Sequence, residues 1–156
     1  MARSLRYTSA DLELLPDIEG VRYEIIDGDL YVSKQPHACH QFACTRLASD
    51  LNQWDRQTGI GITLIAPGLI FAEDADIAPD VVWVSRERLQ YAMDDAGHLR
   101  AAPELVVEVL SPGRENERRD RDLKLRLYSR QGIQEYWIVD WRLHTVQIYR
   151  REQTML

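Results

Sequence analysis

The chain has 156 residues, about one domain in length, with 45% apolar residues and a formal charge of −6 from 19 basic and 25 acidic side chains. That balance argues against broad, non-specific adhesion to nucleic acid, so any nucleic-acid role must rest on a local patch. The opening lacks a signal-peptide apolar run and no later stretch approaches the roughly 18 apolar residues of a membrane span, which leads us to expect a soluble, cytoplasmic protein.

In chain order, "TSADLELL" predicts a short helix capped by Thr8 or Ser9. "VRYEIIDGDLYVS" reads as two strands about a favoured two-residue turn, Asp27-Gly28. From Pro36 to Thr58 there is no internal Gly or Pro; Phe42, Leu47, Leu51 and Trp54 recur at helical spacing, and Gly59 stands at a C-cap position. Cys39 and Cys44 fall in this helix about 7.5 Å of rise apart, too far for an unstrained disulfide, so reduced, partly buried thiols are expected. "IGITLIA" and "LIFA" predict a second hairpin joined at Pro67-Gly68, with "IAPDVVWVS" as the next strand. "SRERLQYAM" predicts a short helix, leading through the turn at 95–97 to the strand "ELVVEVL". Residues 114–131 contain no β-branched side chain, lie between Gly113 and Gly132, and predict a second long helix. "QEYWIVD" and "HTVQIYRR" close the chain as a strand pair.

This order, with one β-α-β passage from 104 to 139, predicts an α/β fold with a mixed sheet. No repeat or linker divides it, so a single domain over 1–156 is expected.

Two of the predicted strands carry a carboxylate on an apolar face. Asp80 shares a face with Val82 and Val84, and Glu108 with Val106 and Leu110. An unpaired buried carboxylate costs several kcal/mol, and two neighbours raise each other's pKa unless a cation lies between them. A divalent metal such as Mg²⁺, which takes a few carboxylate oxygens plus waters and phosphate, answers both objections. Glu24 is placed in the same way in the first hairpin. The alternative for each acid is an Arg partner or a solvated strand end. Lys124 reads most simply as a surface partner of Asp120 at i, i+4, a pair that contributes a few tenths of a kcal/mol. Its helix is the one basic element: Arg114, Arg118, Arg119, Arg121, Arg126 and Arg130 outnumber its acids, so phosphate contact is plausible there.

The runs "RYEIIDGDL", "APDVVWVS", "APELVVEVLSP" and "RRDRDLKLRLYSRQGIQEYWIVD" resemble the bacterial Uma-type restriction-endonuclease-like family of the PD-(D/E)XK nuclease superfamily. The likeness runs from about Tyr23 to Tyr149. It implies a restriction-endonuclease-like core, a mixed central β-sheet flanked by helices, and Mg²⁺- or Mn²⁺-dependent hydrolysis of DNA phosphodiester bonds. Asp80 and Glu108, with the Val109 carbonyl, would then hold the metal; Lys124 would orient or deprotonate the attacking water; Glu24 would complete the metal shell or anchor Lys124. Arg114, Arg118, Arg119 and Arg121 would contact the nucleic acid. The superfamily's usual Lys two residues after the second acid is absent, since position 110 is Leu, and Lys124 stands in its place from the next helix. His40 matches a family His without a firm role. Family members continue past the terminal hairpin, so a short or truncated C-terminus is expected, and a homodimer would let both strands be cut.

The chief alternative is a catalytically inactive nuclease-like fold serving as a nucleic-acid-binding or assembly module, for which Leu110 and the acidic charge speak. Another is a zinc site of His37, His40 and Cys44, which share a helical face. Paired-carboxylate glycoside hydrolysis leaves the basic helix and Lys124 without a part.

Overall fold

Asp27 and Gly28 both take left-handed backbone angles (φ 51° and 79°), which a two-residue hairpin turn requires and Gly28 adopts without a Cβ clash. They join β1 (Arg22–Ile26) to β2 (Asp29–Ser33) in the expected antiparallel register, Glu24 opposite Tyr31. Before them lies the short helix α1 (Ser9–Leu12), capped by Thr8. The computed structural model describes residues 5–153; residues 1–4 and 154–156, which the single-domain expectation also spans, lie outside the described residues.

Helix α2 (Ala38–Thr58) begins at His37, whose Nδ1 accepts from the Cys39 N–H, and ends at Gly59 in the left-handed conformation. Of the large residues at helical spacing, Leu47 and Leu51 pack inward and Phe42 and Trp54 do not. His40, Cys44 and Ala48 point to the core, whereas Phe42 is 68% and Trp54 49% exposed. Leu47 and Leu51 pack against the same core beside this stripe. Cys44 is buried and Cys39 is exposed, so only one of the two free thiols matches the partly buried state expected.

β3 (Gly61–Ile65) and β4 (Leu69–Ala72) do not form the expected hairpin. β3 pairs antiparallel with β6 (Val81–Ser85), while β4 pairs with β5 (Ala75–Ile77), a short strand of which only Ile77 falls in the expected strand 77–85. Ala66 takes a positive φ of 48° before Pro67, and Pro79, which has no N–H for a ladder, separates β5 from β6. The chain therefore crosses between two sheets at 66–68 and returns at 78–80.

The result is an antiparallel four-stranded sheet, β2-β1-β5-β4, beside a mixed five-stranded sheet, β3-β6-β7-β8-β9. β7 (Leu105–Val109) and β8 (Glu135–Asp140) are parallel, and β9 (Thr145–Arg150) returns antiparallel. The short helix α3 (Arg86–Ala92) follows β6. The crossover from β7 to β8 is a continuous helical run: α4 (Arg114–Arg118), a π-helical turn (Arg119–Leu123) and α5 (Lys124–Gln131). One core joins Val106, Leu110, Tyr136 and Ile138 to Leu127 and Tyr128 of α5; the other joins Val81, Val107, Val109 and Val139 to α2. The five-stranded sheet is thus covered on both faces, and β7 is buried throughout. Among the described residues no helix is long and apolar enough to cross a membrane.

Candidate active site

Glu24 comes from the four-stranded sheet, Glu108 from the five-stranded sheet, and Asp80 from the segment that crosses between them. Asp80 sits one residue before β6 rather than within a strand. Glu24 Oε1 accepts from the Ala78 N–H at 3.0 Å, and Arg22, two residues earlier on the same face of β1, donates to the Ala78 carbonyl at 3.0 Å. These bonds tie the crossing segment to β1. The Val109 N–H donates to Asp80 Oδ2 at 2.8 Å, which ties the same segment to β7. All three acids are buried, and with Arg22, Lys34, Ser111, Arg119 and Lys124 they line a cavity of about 250 Å³.

Lys124 is 1% exposed and is not a surface residue. Its Nζ donates to Glu108 Oε1 at 2.8 Å and to Glu24 Oε1 at 3.0 Å, and lies 3.8 Å from Asp120 Oδ1. The expected Asp120 pair therefore exists, but inside the protein. The Tyr128 hydroxyl, one turn further along α5, also donates to Glu108 Oε1 at 2.7 Å. Leu110 is wholly buried in the core, and Lys124 brings its ammonium to Glu108 from the neighbouring helix.

Arg119, expected among surface contacts, is buried, with its Nε 3.0 Å from Asp120 Oδ1. The π-helical turn explains this position. In a regular α-helix residues five apart point in different directions, but the wider turn from 119 to 123 lets Arg119 and Lys124 both face the cavity. Arg121 is taken up by Glu117 at 3.7 Å and Asp140 at 4.0 Å, and bonds Gln147. Arg114 and Arg118 are exposed.

The electrostatics are those of a crowded acidic site. Four buried carboxylates, Glu24, Asp80, Glu108 and Asp120, face two buried cations, Lys124 and Arg119, which leaves two negative charges in excess before Arg22 at the rim is counted. Burial pushes Glu108 up to about 8, helped by the Asp80, Asp120 and Glu24 charges and opposed by Lys124. Burial likewise raises Asp120, whose Oδ2 has no hydrogen-bond partner. For Asp80 and Glu24 burial is outweighed. The His40 hydrogen bond, then the Val109 N–H, lower Asp80; Lys124, Arg119 and the Ala78 N–H lower Glu24. Lys124 is held as an ammonium, because Glu108, Glu24 and Asp120 together overcome its desolvation.

The donor chemistry fits a hard divalent cation. Glu24 and Glu108 each commit one oxygen to protein donors and leave the other without one among the described residues; Asp80 commits Oδ2, and its Oδ1 has only Arg22 nearby, at 3.5 Å. The zinc triad of His37, His40 and Cys44 is not assembled. His37 caps α2 and stacks on Trp141, and the donors that gather instead are His40, Cys44 and Asp80.

Sequence reasoning missed the places of Arg22, Arg119, Asp120 and Tyr128 in this cluster. Arg22 was open to discovery as the residue two before Glu24 on one strand face, and Tyr128 as the i+4 neighbour of Lys124. The π-helical turn that aims Arg119 has no local signature here.

A solved structure described as a "putative nuclease belonging to DUF820" from Anabaena variabilis shares this fold, with a TM-score of 0.73 and 21% identity, covering 94% of this chain and 80% of that one. No curated protein matches the chain. The family described as "Uma2: Putative restriction endonuclease" matches residues 9–156, nearly the whole length, and the chain belongs to that family.

Proposed function

We propose that this protein is a metal-dependent endonuclease that hydrolyses phosphodiester bonds in DNA. The observation that carries the reading is the gathering of four buried carboxylates around two buried cations, Lys124 and Arg119, beside a cavity whose lining includes Arg22 and Lys34. Asp80 and Glu108, with the Val109 carbonyl, would hold Mg²⁺ or Mn²⁺. When bound, such an ion polarises the scissile phosphate and lowers the pKa of a bound water.

The chain's own groups do the rest. Lys124, kept protonated by its three carboxylate neighbours, orients the water and offsets charge developing on the phosphate; it is not poised to remove a proton. Glu24 anchors Lys124, and Tyr128 fixes Glu108. Arg22, half-buried at the rim, reaches a bound phosphate, and the exposed Arg114 and Arg118 hold the backbone beyond it. Leu110 no longer favours the non-cutting alternative, because the ammonium that it lacks arrives from α5. A single cytoplasmic domain acting as a homodimer belongs to the same reading; the exposed Phe42, Val146 and Ile148 give a second copy an apolar face to bury.

The test is nicking of supercoiled plasmid with and without Mg²⁺ or Mn²⁺, with Asp80→Ala as control and melting measured alongside. Nicking that needs the divalent ion and is lost in Asp80→Ala, together with a metal-induced rise in melting temperature present only in the wild type, is expected. Metal-independent nicking, or equal nicking by Asp80→Ala, overturns the reading.

A further inference from the structure

His40 and Cys44 lie one turn apart on the face of α2 that packs against β6 and β7, and both are buried. The two nitrogens of the His40 ring meet different neighbours. Nε2 is 3.3 Å from Asp80 Oδ2, and Nδ1 is 3.6 Å from Cys44 Sγ. An ionised carboxylate only accepts, so Nε2 carries the hydrogen; in the neutral ring Nδ1 is then an acceptor, and the thiol hydrogen is the donor that meets it. Burial, with the Asp80 and Glu108 charges, holds Cys44 as the thiol.

The donor atoms of His40, Cys44 and Asp80 all lie within 4.8 Å of one another, the spacing of a metal triad. As the ring stands, however, Cys44 and Asp80 occupy opposite nitrogens, and one ion cannot bind both. The arrangement is that of a hydrogen-bond relay. It ends on Asp80 Oδ2, which also takes the Val109 N–H, so this oxygen is held from two sides while Oδ1 has only Arg22 at 3.5 Å.

We propose that His40 is a positioning residue, locked in its Nε2–H tautomer by the Cys44 thiol, which fixes the Asp80 carboxylate so that Oδ1 alone is presented to a divalent cation. The inference rests on the metal-dependent reading of the site. It gives His40 and Cys44 a part in metal affinity without contact with metal or substrate. Residues that orient a metal ligand typically change affinity by about 10- to 100-fold when removed.

Two measurements on the full chain test it. Calorimetric titration with Mn²⁺ should show His40→Ala binding at least about 10-fold more weakly, Cys44→Ala also weakened, and Cys44→Ser, which keeps a donor to Nδ1, restored toward wild type. Cleavage by His40→Ala should recover at saturating Mn²⁺, whereas a defect of the chemical step would persist. Unchanged Mn²⁺ affinity in His40→Ala overturns the proposal, and unchanged affinity in Cys44→Ala overturns the part given to the thiol.

The second measurement needs no metal. Long-range ¹H–¹⁵N spectra of the histidine rings at alkaline pH, assigned by the signal lost in His40→Ala, should show one Nε2–H tautomer that begins to average in Cys44→Ala. An Nδ1–H or averaged ring in the wild type overturns the relay even if a variant fails to fold, as does a stoichiometric zinc ion lost with Cys44. A wild type that binds no Mn²⁺ but keeps the locked ring counts against the metal reading and against the proposed purpose of the relay, while the relay itself stands.

Discussion

Replacing Lys124 by methionine keeps most of the side-chain volume and removes its charge where water cannot replace it, since the residue is 1% exposed. The ammonium makes charged hydrogen bonds of 2.8 Å to Glu108 and 3.0 Å to Glu24. At about 1.5–3 kcal/mol each, their loss amounts to roughly 3–6 kcal/mol, close to the roughly 3–5 kcal/mol for breaking a buried ion pair from one side. The loss is softened because Glu108, already pushed up to about 8 chiefly by burial with Lys124 in place, is largely neutral at neutral pH and leaves little charge stranded. We therefore expect Lys124→Met to lose about 3 kcal/mol at neutral pH in EDTA, or roughly 6–12 °C in melting temperature for a chain of this size. The surface pair with Asp120 suggested by the sequence contributes only a few tenths of a kcal/mol, so the two accounts differ about tenfold. Urea unfolding followed by tryptophan fluorescence reads the difference. Adding Glu24→Gln removes one stranded charge and should recover part of the loss. A Lys124→Met protein within about 0.5 kcal/mol of wild type would refute the argument that this ammonium holds the acids together.

Charge reversal at Arg114 and Arg118, both exposed on α4, should weaken DNA binding whatever the base sequence and lower the salt slope by about 1.8, at about 0.9 per phosphate contact. Reversal at Arg86 and Arg150 is the control, and equal weakening by both pairs reduces the effect to net charge. Glu104 is lowered, because hydrogen bonds from the Ser85 N–H and hydroxyl, and the Arg88 charge, outweigh the rise from burial. A lowered carboxyl contributes stability above its unfolded value of 4.5 and loses it as pH falls through the folded value. Glu104→Gln should therefore cost about 1 kcal/mol at neutral pH and progressively less below about pH 4 in urea titrations, and a pH-independent cost counts against the charge account.

The elements with local signals were legible in the chain alone. The Asp27-Gly28 hairpin needs two left-handed residues in a row, and Gly59 ends α2 because a left-handed residue closes its last turn. Asp80 and Glu108 stood out because a carboxylate among valines needs a reason that a strand does not supply. Glu24 stood out in the same way, whereas Lys124 was legible only with the help of the family resemblance, since spacing alone made it a surface residue.

How these groups meet is settled by long-range packing. No local signal says that the chain leaves one sheet after Ala66 and returns through Pro79, yet that crossing sets Asp80 between Glu24 and Glu108. The inward face of α2 is chosen by its packing on the five-stranded sheet, which buries His40, Cys44 and Ala48 and leaves Phe42 and Trp54 toward solvent. The π-helical turn aims Arg119 and Lys124 at one cavity by widening the helix for five residues. Each of these depends on contacts between residues far apart in the chain, where hydrophobic periodicity carries no information. The energies that matter there, desolvation and charge crowding, exist only once the sheets and helices have closed around the acids.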